Sequence, residues 1–130
     1  MNNSNLKIKP QDFLPLTPAV FHILLALSEG ERHGYAIMRE IGESTQGQVK
    51  IGPGTLYGTI KRLLESGLIE ESDERPGPDQ DDERRRYYRL TGLGQRIVEA
   101  EAARYNDLAK LVRRKKLLAK LPKAVPAGGI

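Results

Sequence analysis

The run Ala19-Val-Phe-His-Ile-Leu-Leu-Ala-Leu27 is apolar on almost every side of the helix it would form. A helix without a broad polar face belongs in the middle of a core, so the rest of the chain must wrap around this segment. Its start is marked by Thr17, which can cap free backbone N–H groups, and by Pro18, whose missing N–H is not needed at a first helical position. Ser28-Glu29-Gly30 ends it. With 130 residues there is room for one domain and little more. No stretch approaches the roughly 20 apolar residues of a membrane span, and the N-terminus lacks the basic-then-apolar order of a signal peptide. Zero cysteines exclude disulfides, thiolate nucleophiles and sulfur-ligated metals, in keeping with a reducing cytoplasm.

The remaining pattern predicts a mainly α chain with a small β-hairpin. A second helix runs from about Gly34 to Ser44, with Ile37, Met38 and Ile41 at three- and four-residue spacing. Val49-Lys50-Ile51 is a short extended piece. Gly52-Pro53 opens a third helix, whose buried stripe is Leu56, Ile60, Leu63 and Leu64 and which Gly67 stops. Leu68 to Glu71 and Arg86 to Leu90 read as two hairpin strands, with Tyr88 and Leu90 turned into the core. Thr91 caps a fourth, long helix over residues 92–121. Three short helices followed by a hairpin make a winged helix-turn-helix over residues 16–91. Residues 1–15 read as a flexible arm or a short docking segment, and 122–130 as a disordered tail.

Charge is distributed unevenly. Residues 104–123 hold eight Lys/Arg and one acid, Asp107, whereas 70–83 hold eight acids and only Arg75. Residues 1–103 carry a net charge of -3. A polyanion partner fits the basic end, and the acidic loop between the strands would be repelled by DNA.

On the third helix, a core-facing Leu56, Ile60 and Leu63 leaves Thr55, Tyr57, Gly58, Thr59, Lys61 and Arg62 on or near the outer side. Hydroxyls and cations of this kind suit phosphates and base edges; alone they describe an ordinary solvated helix face. Placed just before a two-stranded wing, they favour double-stranded DNA. Arg84, Arg85 and Arg86 can lie along a phosphate backbone or simply neutralise the neighbouring acids. On the fourth helix, Ile97, Tyr105, Leu108, Leu111, Val112 and Leu118 extend an apolar stripe too long for so small a domain to cover, which predicts pairing with a second chain. Solubility is the first reading of Arg113-Arg114-Lys115-Lys116.

Enzyme readings find no constellation. Gly52-Pro-Gly-Thr55 lacks the Gly-Lys-Ser/Thr ending of a phosphate-binding loop. His22 sits in the apolar helix as a core or interface residue. His33, at a helix start, reads as a cap or a backbone partner. Asp79, Asp81, Asp82 and Glu83 lack the spacing of a calcium loop. No cofactor and no metal are expected.

In order and at this spacing, several segments resemble the PadR-type transcriptional regulators. They are Leu16-Thr17-Pro18, His33-Gly34-Tyr35-Ala36-Ile37, Gly52-Pro-Gly-Thr-Leu-Tyr57, Gly67-Leu-Ile69 and Arg85-Arg86-Tyr87-Tyr88-Arg89-Leu90-Thr91 with Gly94. The resemblance covers residues 16–118 and is similar in length to the short subfamily. It implies a homodimeric repressor with a long C-terminal dimerisation helix, a pseudo-palindromic operator and release by a small-molecule effector. It makes Thr55, Tyr57, Lys61 and Arg62 recognition-helix candidates, Tyr35 a candidate for phosphate contact, and Arg84, Arg85 and Arg86 wing candidates. Gly52 and Gly58 depart from the Ser and Pro the family often carries there. The rival expectation, drawn from the negative charge of residues 1–103, is a winged-helix module that binds protein without reading DNA sequence.

Overall fold

The computed structural model describes Lys9 to Pro76 and Arg84 to Leu118. For Glu74, Arg75, Pro76 and Arg84 it describes only the backbone. The first eight residues of the expected arm, the acidic tip with Asp79, Asp81, Asp82 and Glu83, and the expected tail over 122–130 lie outside the described residues.

Helix α1 (Pro18–Leu27) begins as its residues dictate: Thr17 Oγ1 accepts from Val20 N at 3.3 Å and Pro18 occupies the first turn. Ile23, Leu24, Ala26 and Leu27 are buried, and each large side chain withdrawn from water is worth about 2 kcal/mol. Around α1 pack α2 (Gly34–Ser44) and α3 (Pro53–Glu65), through Ile37, Ile41, Leu56, Ile60 and Leu63. Between them the Thr45 hydroxyl donates to Ile41 O at 2.8 Å and accepts from Val49 N at 3.1 Å. This brace gives the long connection a defined course and brings Val49 and Ile51 against the core. Val49-Lys50-Ile51 forms no regular strand.

The hairpin is longer than the sequence predicts, with β2 at Ile69–Pro76 and β3 at Arg84–Leu90. A two-residue strand, β1 (Arg32–His33), joins it, giving an antiparallel sheet in the order β1-β3-β2. The register shifts between Glu71 and Asp73, which lets Ser72 bulge. Tyr88 is buried, and Leu90 packs against the core from a half-buried position.

Helix α4 (Gly92–Arg114) is capped by Thr91, whose hydroxyl oxygen accepts from Gly94 N at 3.0 Å and donates to Gly67 O at 2.6 Å. A side chain at Gly94 would overlap the Leu68 carbonyl, so glycine is what lets α4 start this close to β2. The expected helix over 92–121 is corrected at its end: it stops at Arg114, and Lys116 takes φ 63°. Of the two readings of residues 1–15, docking holds for the described part. Pro10–Phe13 forms a short 3-10 turn against α4, where Phe13 and Leu14 are half-buried on the core.

Candidate nucleic-acid interface

Three consecutive residues at the start of α2 serve three different elements. His33 is buried, and its Nδ1 accepts from Ala36 N at 3.2 Å, capping α2. With Nδ1 an acceptor, the proton of the neutral ring sits on Nε2. Arg85 Nη1 of β3 stands 3.5 Å from that Nε2, and the Tyr87 ring meets the imidazole edge-on at 5.3 Å. Gly34 comes next and is covered by Tyr57 of α3: a methyl group at Gly34 would overlap the Tyr57 hydroxyl, Cζ at 2.7 Å and Cε1 at 2.8 Å. Tyr35 projects from α2, 55% exposed, with the Arg39 guanidinium 5.6 Å from its ring centroid.

The sequence-predicted residues of α3 divide. Thr55, Lys61 and Arg62 are exposed, and Tyr57 is 47% exposed despite its contact with Gly34. Thr59 is a correction: it is 1% exposed and not part of the outer face. It lies three residues after Leu56 and four before Leu63, inside the buried stripe, where its methyl packs and its hydroxyl accepts from Arg62 Nη2 at 3.2 Å.

On the wing the arginines meet carboxylates of the adjacent strand. Arg89 Nε donates to Glu70 Oε2 at 2.8 Å, and Arg86 Nε lies 3.9 Å from Glu71 Oε2. Arg85 is half-buried beside His33, and Arg84 is positioned only by its backbone, opposite Pro76. Burial, and then the nearby Glu71 carboxylate, push the Tyr88 hydroxyl above its ordinary pKa; the Tyr57 hydroxyl adds to the effect.

Along α4 the predicted stripe also divides. Ile97 is fully buried in the chain's own core, which corrects its assignment to a surface shared with a second chain. Tyr105 stacks on Phe21 of α1, ring centroids 4.9 Å apart and planes within 3°, and remains 43% exposed. Leu108 is 42% exposed, Leu111 and Val112 are half-buried, and Leu118 lies beyond the helix end.

The stripe hides one residue that sequence reasoning missed. Glu101, one turn beyond Ile97, is fully buried. Its Oε2 accepts from Leu16 N at 2.9 Å and from Arg104 Nη2 at 3.1 Å, and its Oε1 from Arg104 Nε at 2.6 Å. The Arg104 hydrogen bonds, helped by the Leu16 N–H, hold this carboxyl below its ordinary pKa against the opposing effect of burial. A carboxylate in an apolar stripe with an arginine three residues on was the available signal.

His22, Leu25, Ala26, Glu40, Ile41 and Thr45 line part of a groove of about 370 Å³ between α1 and α2. Among the described residues there is no cluster of three or more His, Asp or Glu able to hold a metal, and no helix is long and apolar enough to cross a membrane.

A helix-turn-helix made by α2 and α3, followed by a hairpin wing and a long C-terminal helix, defines a winged helix-turn-helix protein. Residues 23–100 match the model of the "Transcriptional regulator PadR-like family". The chain belongs to that family, which is one of transcriptional regulators and not of enzymes. It is 34% identical over 91 residues to the transcriptional regulator Rv3488 of Mycobacterium tuberculosis, covering 70% of this chain and 78% of the relative. It is 38% identical over 80 residues to a 37.1 kDa protein in transposon TN4556 of Streptomyces fradiae, where the match spans 62% of this chain but 21% of that protein. The fold is also that of Bacillus subtilis PadR, solved in complex with operator DNA: TM-score 0.57 at 22% identity, over 66% of this chain and 47% of PadR.

Proposed function

We propose that the chain is a homodimeric, sequence-specific DNA-binding repressor that acts on a pseudo-palindromic operator. The observation that carries the reading is the exposed set Thr55, Lys61 and Arg62 on α3, flanked by Tyr35 and Arg39 on α2 and followed by a hairpin whose second strand carries the arginines. In a helix-turn-helix the second helix enters the major groove and the first crosses the backbone. Thr55, Lys61 and Arg62 face the groove in this reading, and Tyr35, Arg84, Arg85 and Arg86 belong to the phosphate-facing flanks. Tyr105, Leu108, Leu111 and Val112 supply the apolar face toward a second copy, setting two α3 helices about one turn of DNA apart. Release by a small molecule belongs to the same reading, and the groove between α1 and α2 falls within the size range of small-molecule sites.

The test is selection from random duplex DNA at near-physiological salt, followed by sequencing of what is retained. A two-fold symmetric site is the expected result. The ion pairs of Arg86 and Arg89 with Glu71 and Glu70 favour a second reading, a winged module that binds protein. That reading predicts a folded dimer that enriches no sequence.

A further inference from the structure

The Tyr57 ring leans from α3 onto α2. Its tip lies on the bare Cα of Gly34, so close that no side chain could stand there. One side chain of α3 therefore sits on the first turn of α2. Thr55, Lys61 and Arg62 are exposed on the same helix, and Arg62 Nη2 donates to Thr59 within it.

We propose that Tyr57 serves DNA readout as a positioning residue, its ring seated on Gly34, rather than as a base-contacting side chain. Seated in this way it fixes the angle of α3 against α2, and Gly34 is the second half of the device. Base reading falls to Thr55, Lys61 and Arg62. The inference rests on the DNA-binding reading above.

The experiment measures affinity for the selected operator and for random duplex DNA in five proteins: the wild type, Tyr57→Phe, Tyr57→Leu, Gly34→Ala, and Gly34→Ala/Tyr57→Leu. Tyr57→Phe keeps the ring carbons Cζ and Cε1 on Gly34 and loses only the hydroxyl, so its operator-over-random selectivity stays within about threefold of wild type, whereas a lost base hydrogen bond would cost about tenfold or more. Gly34→Ala forces the ring off its seat and lowers selectivity at least tenfold, while the salt dependence, set by phosphate contacts, is unchanged. In the Tyr57→Leu background the shorter side chain leaves room for the methyl group, and adding Gly34→Ala changes selectivity by less than about twofold. A tenfold loss in Tyr57→Phe overturns the inference, as does wild-type selectivity in a folded Gly34→Ala. If Gly34→Ala does not fold, Tyr57→Phe and the double variant decide. A wild-type chain that enriches no sequence overturns the DNA-binding reading itself, and the inference falls with it.

Discussion

The buried carboxylate of Glu101 on α4 accepts a hydrogen bond from the backbone N–H of Leu16, 85 residues earlier in the chain. Arg104 closes the same carboxylate from the other side, and Tyr105, the next residue, stacks on Phe21. The stretch leading into α1 is thereby fastened to the helix on which we place dimerisation.

Replacing Glu101 by Ala leaves the Leu16 N–H and Arg104 without their acceptor. We expect a loss of about 2 kcal/mol in urea denaturation, since the part-buried Leu16 N–H loses its acceptor while the partly exposed Arg104 turns to water. The pH dependence has a fixed sign. Because the folded-state pKa is lowered, the stabilisation is complete above the ordinary glutamate value of 4.5 and is lost as pH falls below it, through the folded value. Denaturation midpoints of the wild type should therefore drop more steeply below that value than those of Glu101→Gln.

Gly58 sits inside α3, where glycine costs about 1 kcal/mol relative to alanine. The nearest foreign atom to a new Cβ would be Arg62 Nη1 at 3.9 Å, an ordinary contact. Gly58→Ala should thus raise stability by about 1 kcal/mol, seen as a higher melting temperature. If the bare position is needed for close approach to a groove, the stabilised variant will bind the operator more weakly.

His33→Ala removes the acceptor for Ala36 N, a cap worth about 1 kcal/mol. His33→Asn restores a good capping oxygen but does not reach Arg85. Comparing the two by chemical denaturation separates the cap from the contact: Asn should recover most of the stability lost in Ala.

If α4 pairs with a second copy, Leu108→Glu with Leu111→Glu puts two carboxylates on the shared apolar face. The expected product is a folded monomer in sedimentation equilibrium, with unchanged helical circular dichroism and at least a hundredfold weaker operator binding. A dimer that survives both changes places the interface elsewhere.

Local chemistry made much of this fold legible. Thr17-Pro18, His33, Gly52-Pro53 and Thr91 each mark a helix start through contacts within a few residues, and all four helices begin there. What escaped depends on distant partners. Strand β1 is two residues long and exists because β3 lies beside it. Thr59 was placed outside because its side chain is polar, and Glu101 was passed over in the apolar stripe of α4, although their positions put both in buried stripes. The stripe of α4 is continuous in sequence, and nothing in its periodicity shows that Ile97 faces its own core while Leu108 does not. At the candidate interface, residue types and helix identity could be read directly. The inward turn of Tyr57 could not, because Gly34 lies on another helix, 23 positions away.

The acidic strand beside the arginine strand has a consequence for how this wing would meet DNA. Glu70 and Glu71 already occupy Arg89 and Arg86, as an internal stand-in for phosphate. An arginine that turns from a carboxylate to a phosphate exchanges one fixed anion for another and sets few condensed cations free beyond those the freed glutamate recaptures. Measured against salt, such a wing would behave as though it carried fewer charges than its sequence displays, and on the DNA-binding reading its affinity would fall less steeply with ionic strength than that of an unpaired basic hairpin.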